Sequence, residues 1–144
     1  MAADATTYVL FELAGTAYAI PSSDVHRMEM VEEITPVPTA PPYVEGVVFT
    51  RGKVVPAINL RTRFGFERAE FTLATRLIVV AQGSRLVGLI VDSAREFVKI
   101  APEAIQPPPE ALAGTSGRYV QGVASATDRL ILILDVAGVV DAAV

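Results

Sequence analysis

The sequence predicts an all-β protein: two five-stranded barrels sharing one hydrophobic core, with short helical turns. Three observations lead there. The stretch Tyr43-Val44-Glu45-Gly46-Val47 through Leu60 returns without a gap as Tyr119-Val120-Gln121-Gly122-Val123 through Val136, and 119 minus 43 sets a constant offset of 76. Short apolar or alternating runs punctuated by Gly and Pro recur in both halves, the pattern of short strands and tight turns. Hydrophobic residues make up 51% of the chain against 19% charged, ample for a packed core. A sheet of about five short strands hides its edges by curling up, and neither half buries much alone, so the halves should share a core.

In chain order, Tyr8 to Leu13 reads as a strand with Val9, Phe11 and Leu13 on one face. Ala14-Gly15-Thr16 turns it back into Ala17 to Ile20, and Pro21 stops the return strand. Ser22 and Ser23 are placed to cap one helical turn carrying Asp24 and Val25, and Arg27 to Val31 is extended. Thr35 to Pro42 holds four prolines that cannot donate to a ladder, a stiff connector. Glu45 to Thr50 and Lys53 to Ile58 form a hairpin around Arg51-Gly52, and Asn59 caps a short helix that Gly65 ends. In the second half, Arg76 to Gln82 and Leu86 to Val91 make a hairpin turning at Gly83-Ser84, Phe97 to Ile100 extends, and Pro107-Pro108-Pro109 replaces the earlier prolines. The repeated hairpin turns at Thr127-Asp128, and Asp135 is placed to cap a terminal helix from Val136 to Val140. Leu86 to Val91 and Leu130 to Leu134 are apolar on both faces, which places them at the contact between the halves.

Net charge is −4, which gives no general pull toward a phosphate backbone. The absence of cysteine removes disulfides, thiolate nucleophiles and thiolate metal sites together. The opening Met1 to Thr7 has neither a basic nor a long apolar segment, and no apolar run approaches the roughly 20 residues of a membrane span. The expectation is a cytoplasmic protein without direct membrane insertion.

Catalytic chemistry finds no constellation. His26 is the sole histidine and stands without HExxH spacing. Glu32-Glu33, Glu67 and Glu70 sit in loops without a paired base, and no serine lies in a GxSxG elbow. Gly114-Thr115-Ser116-Gly117 lacks the GK[ST] ending of a phosphate loop. Arg61-Thr62-Arg63-Phe64-Gly65-Phe66-Glu67-Arg68 mixes arginine with aromatics as single-strand binders do, but acidic neighbours dilute it. No enzyme, metal, cofactor or nucleic-acid role is expected. What remains is surface for a protein partner: Val25, Met28, Phe49 and Arg51, at turns and strand ends where folding does not require burial. The guanidinium of Arg51 offers five fixed donors for a partner's carboxylate or carbonyls.

The residues also resemble a known family. Tyr8-Val9-Leu10-Phe11, Ile34-Thr35-Pro36-Val37-Pro38, Pro42 to Val47, the run Arg51-Gly52-Lys53-Val54-Val55-Pro56-Ala57-Ile58-Asn59-Leu60-Arg61, Val87 to Ser93 and Ile105 to Pro109 resemble, in order, the CheW family of chemotaxis coupling proteins. The resemblance implies one CheW-like domain over 1–144, with pseudo-repeat lobes of about 8–70 and 71–144 that exchange terminal elements, built as two intertwined five-stranded SH3-like barrels. It implies a non-catalytic adaptor, recruited to membrane-associated arrays, with two partners: the cytoplasmic tip of a methyl-accepting chemoreceptor and the regulatory domain of a chemotaxis histidine kinase. Carried over by position, it implies partner contacts at Val25, Met28, Gly46, Arg51 and Gly52, and across the groove at Val87 and Ala94.

The chain departs from the family pattern in three places. Phe49-Thr50 stands where Asn-Leu is usual before Arg51-Gly52, Asn59 replaces a frequent aspartate, and Arg27 occupies a commonly acidic position. Two other readings stay open at this point: a paralogue serving pili or gliding, and a regulatory barrel holding a small ligand between its halves.

Overall fold

The computed structural model describes residues 5–109 and 119–141. Eleven strands and two short helices run in the order β1 (Thr6–Leu13), β2 (Thr16–Pro21), β3 (Val25–Met30), β4 (Val44–Thr50), β5 (Lys53–Asn59), α1 (Leu60–Arg63), β6 (Arg76–Gln82), β7 (Arg85–Val91), β8 (Ser93–Ile100), β9 (Ile105–Gln106), β10 (Val120–Ala126), β11 (Arg129–Leu134) and α2 (Val136–Asp141). They make two sheets, one of six strands in the order β8-β1-β2-β11-β10-β9 and one of five in the order β3-β6-β7-β5-β4.

The repeat is visible in atomic detail. β4 and β10 each carry a bulge at the same place: the register shifts between Val44 and Gly46 in one and between Val120 and Gly122 in the other. The tips match too, since Arg51 and Gly52 have φ of 51° and 79°, and Thr127 and Asp128 have 51° and 60°. Positive φ at both central residues is the type I′ turn, whose twist suits a two-residue hairpin. Each hairpin's second strand then runs parallel to a strand of the other hairpin in its sheet, β5 beside β7 and β11 beside β2.

The chain crosses between the sheets twice, with β3 to β7 in the five-stranded sheet and β1, β2 and β8 to β11 in the six-stranded one. A 3-10 turn at Ser22–Asp24 carries it from β2 to β3, which pairs with β6 in the five-stranded sheet, and β8 returns to pair with β1 in the six-stranded sheet. That turn begins at Pro21 and neither serine caps it, contrary to the sequence expectation. At the return crossing Asp92 donates its N–H to the Glu12 carbonyl at 3.0 Å, accepts from the Ala14 N–H at 2.9 Å, and pairs with Arg61 at 2.8 and 2.9 Å.

The expected closed five-stranded SH3-like barrels are not what forms. Each sheet has two distinct end strands, and no ladder joins β3 to β4 or β8 to β9. Proline is the physical reason on one side of each sheet. The connector meets β4 only through a single bridge, Thr35 to Val47, before Pro36, and β9 lasts two residues before Pro107. A segment without N–H donors cannot extend the ladder that closure needs. Side chains do part of that work instead: Arg27 and Glu29 of β3 reach Thr50 of β4.

The core is layered. Val9, Phe11, Leu13, Ile20, Ile78, Val80, Leu89 and Leu134 belong to a central cluster between the sheets. Opposite faces of the same strands fill a cluster within each sheet, Tyr8 and Leu10 with Ile131 and Ile133, and Leu77 and Val79 with Ile90. This is why β1, β6 and β7 read apolar on both faces. The Leu130 to Leu134 run is only partly at the contact between the halves: Leu134 and Leu132 meet the central cluster, Ile131 and Ile133 fill the cluster within their own sheet, and Leu130 is exposed. Each large aliphatic buried here contributes about 1.5–3 kcal/mol. An aromatic chain threads the middle, with ring centroids 5.8 Å apart for Phe11–Tyr18 and Tyr18–Phe64 and 5.4 Å for Phe64–Tyr119.

Candidate partner-binding surface

The β4–β5 hairpin supplies the exposed part of the surface. Phe49 is 75% exposed and stands directly opposite Val54, 64% exposed, on the neighbouring strand. A cross-strand pair turned largely to solvent adds only about 0.2–1 kcal/mol to the fold and offers further desolvation energy to a partner. Arg51 and Gly52 lie exposed at the tip beside it.

Strand β3 lies next to this tip. Thr50 donates its hydroxyl to the Glu29 carboxylate at 2.8 Å, Arg27 donates to Thr50 at 3.3 Å, and Arg27 closes a tight ion pair with Glu29. Burial pushes the Glu29 carboxyl up, but hydrogen bonds from Arg27 and Thr50, with the charges of Arg27 and Arg51, outweigh it and hold Glu29 below the usual carboxylate range. Glu29 therefore stays ionised and fixes the hairpin against β3. A cavity of about 280 Å³ opens at this junction, lined by Glu29, Met30, Glu32, Glu33, Phe49 and Thr50 among others. Val25 and Met28 sit on the same strand, half-buried and packed against the central core.

Three sequence candidates lie deeper. Gly46 is buried with φ of 149°, and a Cβ there would come within 2.1 Å of the Thr35 carbonyl oxygen. Its lack of a side chain lets the proline connector cross β4. Val87 is buried in the central core and also borders an apolar cavity of about 330 Å³ under the connector, with Val37, Pro41, Val44 and Pro56. Ala94 is buried on β8 opposite Phe11, in the other sheet. The structure thus brings Val25, Met28, Phe49, Arg51 and Gly52 to one corner, whereas Gly46, Val87 and Ala94 lie beneath the surface. Sequence reasoning missed Val54, hidden within an apolar run, and the Arg27–Glu29–Thr50 network. The one signal for that network was Arg27 at a commonly acidic position.

The rejected chemistry also has a structural account. The arginines of the Arg61–Arg68 segment face protein groups: Arg61 pairs with Asp92, Arg68 with Glu45, and Arg63 lies against two tyrosine rings. His26 is exposed. Among the described residues no group of three His, Cys, Asp or Glu could hold a metal ion, and no helix is long and apolar enough to cross a membrane. The Gly114 to Gly117 loop lies outside the described residues.

A two-sheet β domain with an exposed apolar pair beside the arginine of a tight hairpin tip has the surface of a protein-docking module. Comparison with known proteins gives the family: residues 7–144 match the CheW-like domain, and the chain belongs to that family. It is 32% identical over 133 residues to the chemotaxis protein CheW of Bacillus subtilis (strain 168), spanning 92% of this chain and 85% of that protein. It is 34% identical over 131 residues to the chemotaxis protein CheW of Helicobacter pylori (strain ATCC 700392 / 26695), spanning 90% and 78%. Among solved structures, the scaffolding protein TtCheW from Thermoanaerobacter tengcongensis superposes with a TM-score of 0.84 at 33% identity, covering 91% of this chain and 89% of that one.

Proposed function

We propose that this chain is a non-catalytic adaptor of a chemosensory array, joining the cytoplasmic tips of chemoreceptors to the regulatory domain of a chemotaxis-type histidine kinase. Membership of the CheW-like family over residues 7–144 carries this reading. The chain works in the cytoplasm, recruited to receptors at the membrane, as a single domain whose pseudo-repeat lobes each lend two strands, β1 and β2 or β6 and β7, to the sheet built mainly from the other.

The physical mechanism is docking. A helical receptor tip needs apolar anchors on one strip and a polar rim that fixes its orientation. Val25, Met28 and Phe49 are the anchors, and Arg51, held on the Gly52 turn, orients a partner carboxylate or carbonyl. Gly46, Val87 and Ala94 act from below, setting the shape on which those side chains stand. The test is Arg51→Glu. Co-sedimentation with receptor–kinase membranes is expected to be lost while the circular dichroism spectrum stays unchanged; retained co-sedimentation would remove Arg51 from the site.

A further inference from the structure

One cation is shared by the two copies of the repeat. Arg63, the last residue of α1, holds its Cζ 4.4 Å from the centroid of the Tyr43 ring and 4.9 Å from that of Tyr119. These tyrosines are repeat mates. Tyr43 leads into β4 of one sheet and Tyr119 into β10 of the other, and their carbonyls accept equivalent bonds from Asn59 and Asp135 at 2.7 and 2.8 Å. The position matching Arg63 in the second copy is Val139, buried and apolar. The symmetry is therefore broken here, and a single guanidinium serves both hairpins.

Two features separate this arginine from ordinary packing. Its Nε is buried and finds no hydrogen-bond partner, an arrangement that works against stability. A guanidinium beside two rings is also held by their electron-rich faces, an attraction that depends on distance and direction. Apart from the Asp92 crossing, where one carboxylate meets Arg61 and the Ala14 N–H, the core between the sheets is apolar, and the hydrophobic effect has no direction of its own.

We infer that Arg63 is a positioning residue: it fixes the placement of the two repeated hairpins relative to each other, and so the shape of the docking surface that spans them. Its consequence for binding rests on the adaptor reading above; its consequence for geometry does not.

The chain lacks cysteine, so nitroxides at Val54→Cys on β5 and Lys99→Cys on β8, both exposed strand positions, report the distance between the sheets by pulsed electron resonance, while binding is measured on the unlabelled chains because Val54 lies in the exposed patch. The parent should give one narrow distance. Arg63→Met fills the slot and removes the unpaired Nε, so its melting temperature should equal or exceed the parent's while the distance distribution shifts or widens. If the aligned state falls to about a tenth of the population, apparent affinity for receptor–kinase membranes falls about tenfold. An unchanged distribution in a folded Arg63→Met protein overturns the inference, as does an affinity loss that merely tracks a lowered melting temperature. Should that variant not fold, Tyr43→Leu in the same labelled background decides the question by the same distances. Altered distances in a chain whose parent binds no receptor–kinase membranes would support the clamp and count against the adaptor reading alone.

Discussion

Asn59 donates its side-chain amide to the Glu45 carboxylate at 2.8 Å, while its own oxygen accepts the Arg61 N–H at 3.0 Å and caps α1. An aspartate could do the second job but not the first. This accounts for the departure from the family pattern at position 59: with glutamate at 45, the partner must be neutral. Hydrogen bonds from Arg68, and then from Asn59, hold the Glu45 carboxyl below its usual value against the opposing effect of burial. Its contribution to stability is therefore present above the ordinary value of 4.5 and lost as pH falls through the lower folded value. Asn59→Asp should place two carboxylates in contact and raise the pKa of one. A raised acid reverses the dependence, so the deficit should grow between pH 4 and pH 7 to about 1–3 kcal/mol. Urea melts at both pH values measure it, and Glu45→Gln added to Asn59→Asp should recover most of the loss at pH 7.

The Arg27–Glu29–Thr50 network links the two end strands of the five-stranded sheet. Arg27→Met should leave Glu29 half-buried with only Thr50 as a donor, costing about 1–3 kcal/mol at pH 7. Because the folded pKa of Glu29 is depressed, the pair contributes above the ordinary carboxylate range and its contribution is lost as pH falls through the folded value. The gap between Arg27→Met and parent should therefore shrink at pH 3. An equal gap at both pH values would show that Arg27 acts through packing of its stem.

How much of this could be read from the chain depends on what each feature requires. The gapless repeat disclosed the doubled hairpin, its turns and the shared core, because strand period and glycine placement are local properties. Closure was not legible. Whether a curled sheet seals itself depends on backbone donors at two distant edges, and Pro36 and Pro107 remove them where the ladder would need to continue. Burial of Val87 and Ala94 was likewise hidden, since a valine and an alanine read alike whether they face a partner or a core layer. Arg51 and Phe49 were legible because a tight turn exposes its tip whatever surrounds it.

Phe49→Ser tests the exposed pair. With the ring 75% exposed, stability should move by no more than about 0.5 kcal/mol. If Phe49 anchors a partner, binding to receptor or kinase regulatory domain should weaken by about 1–3 kcal/mol, roughly tenfold or more. Titration calorimetry with each purified partner assigns the residue to one of the two, and unchanged affinity for both would remove the Phe49–Val54 patch from the docking surface.

Gly46 and Gly52 both have positive φ, at 149° and 79°, yet their surroundings predict opposite roles. A methyl group on Gly52 meets nothing within 4 Å, so Gly52→Ala should cost only the strain of a left-handed alanine, about 1–2 kcal/mol, and any loss of coupling beyond that reports on the tip. At Gly46 the same methyl group would sit 2.1 Å from the Thr35 carbonyl oxygen and 3.0 Å from the Ile34 side chain. The obstacle is backbone, so the connector itself must lift away, breaking the paired bonds between Thr35 and Val47 at 2.8 Å each. Gly46→Ala should therefore cost about 3 kcal/mol or more. Its loss of coupling should follow from the altered seat of Phe49 and Arg51, because Gly46 itself is buried. Hydrogen exchange checks the mechanism: protection at the Thr35 and Val47 amides should fall in Gly46→Ala and persist in Gly52→Ala, and protection retained in both would place the effect of Gly46 at the surface after all.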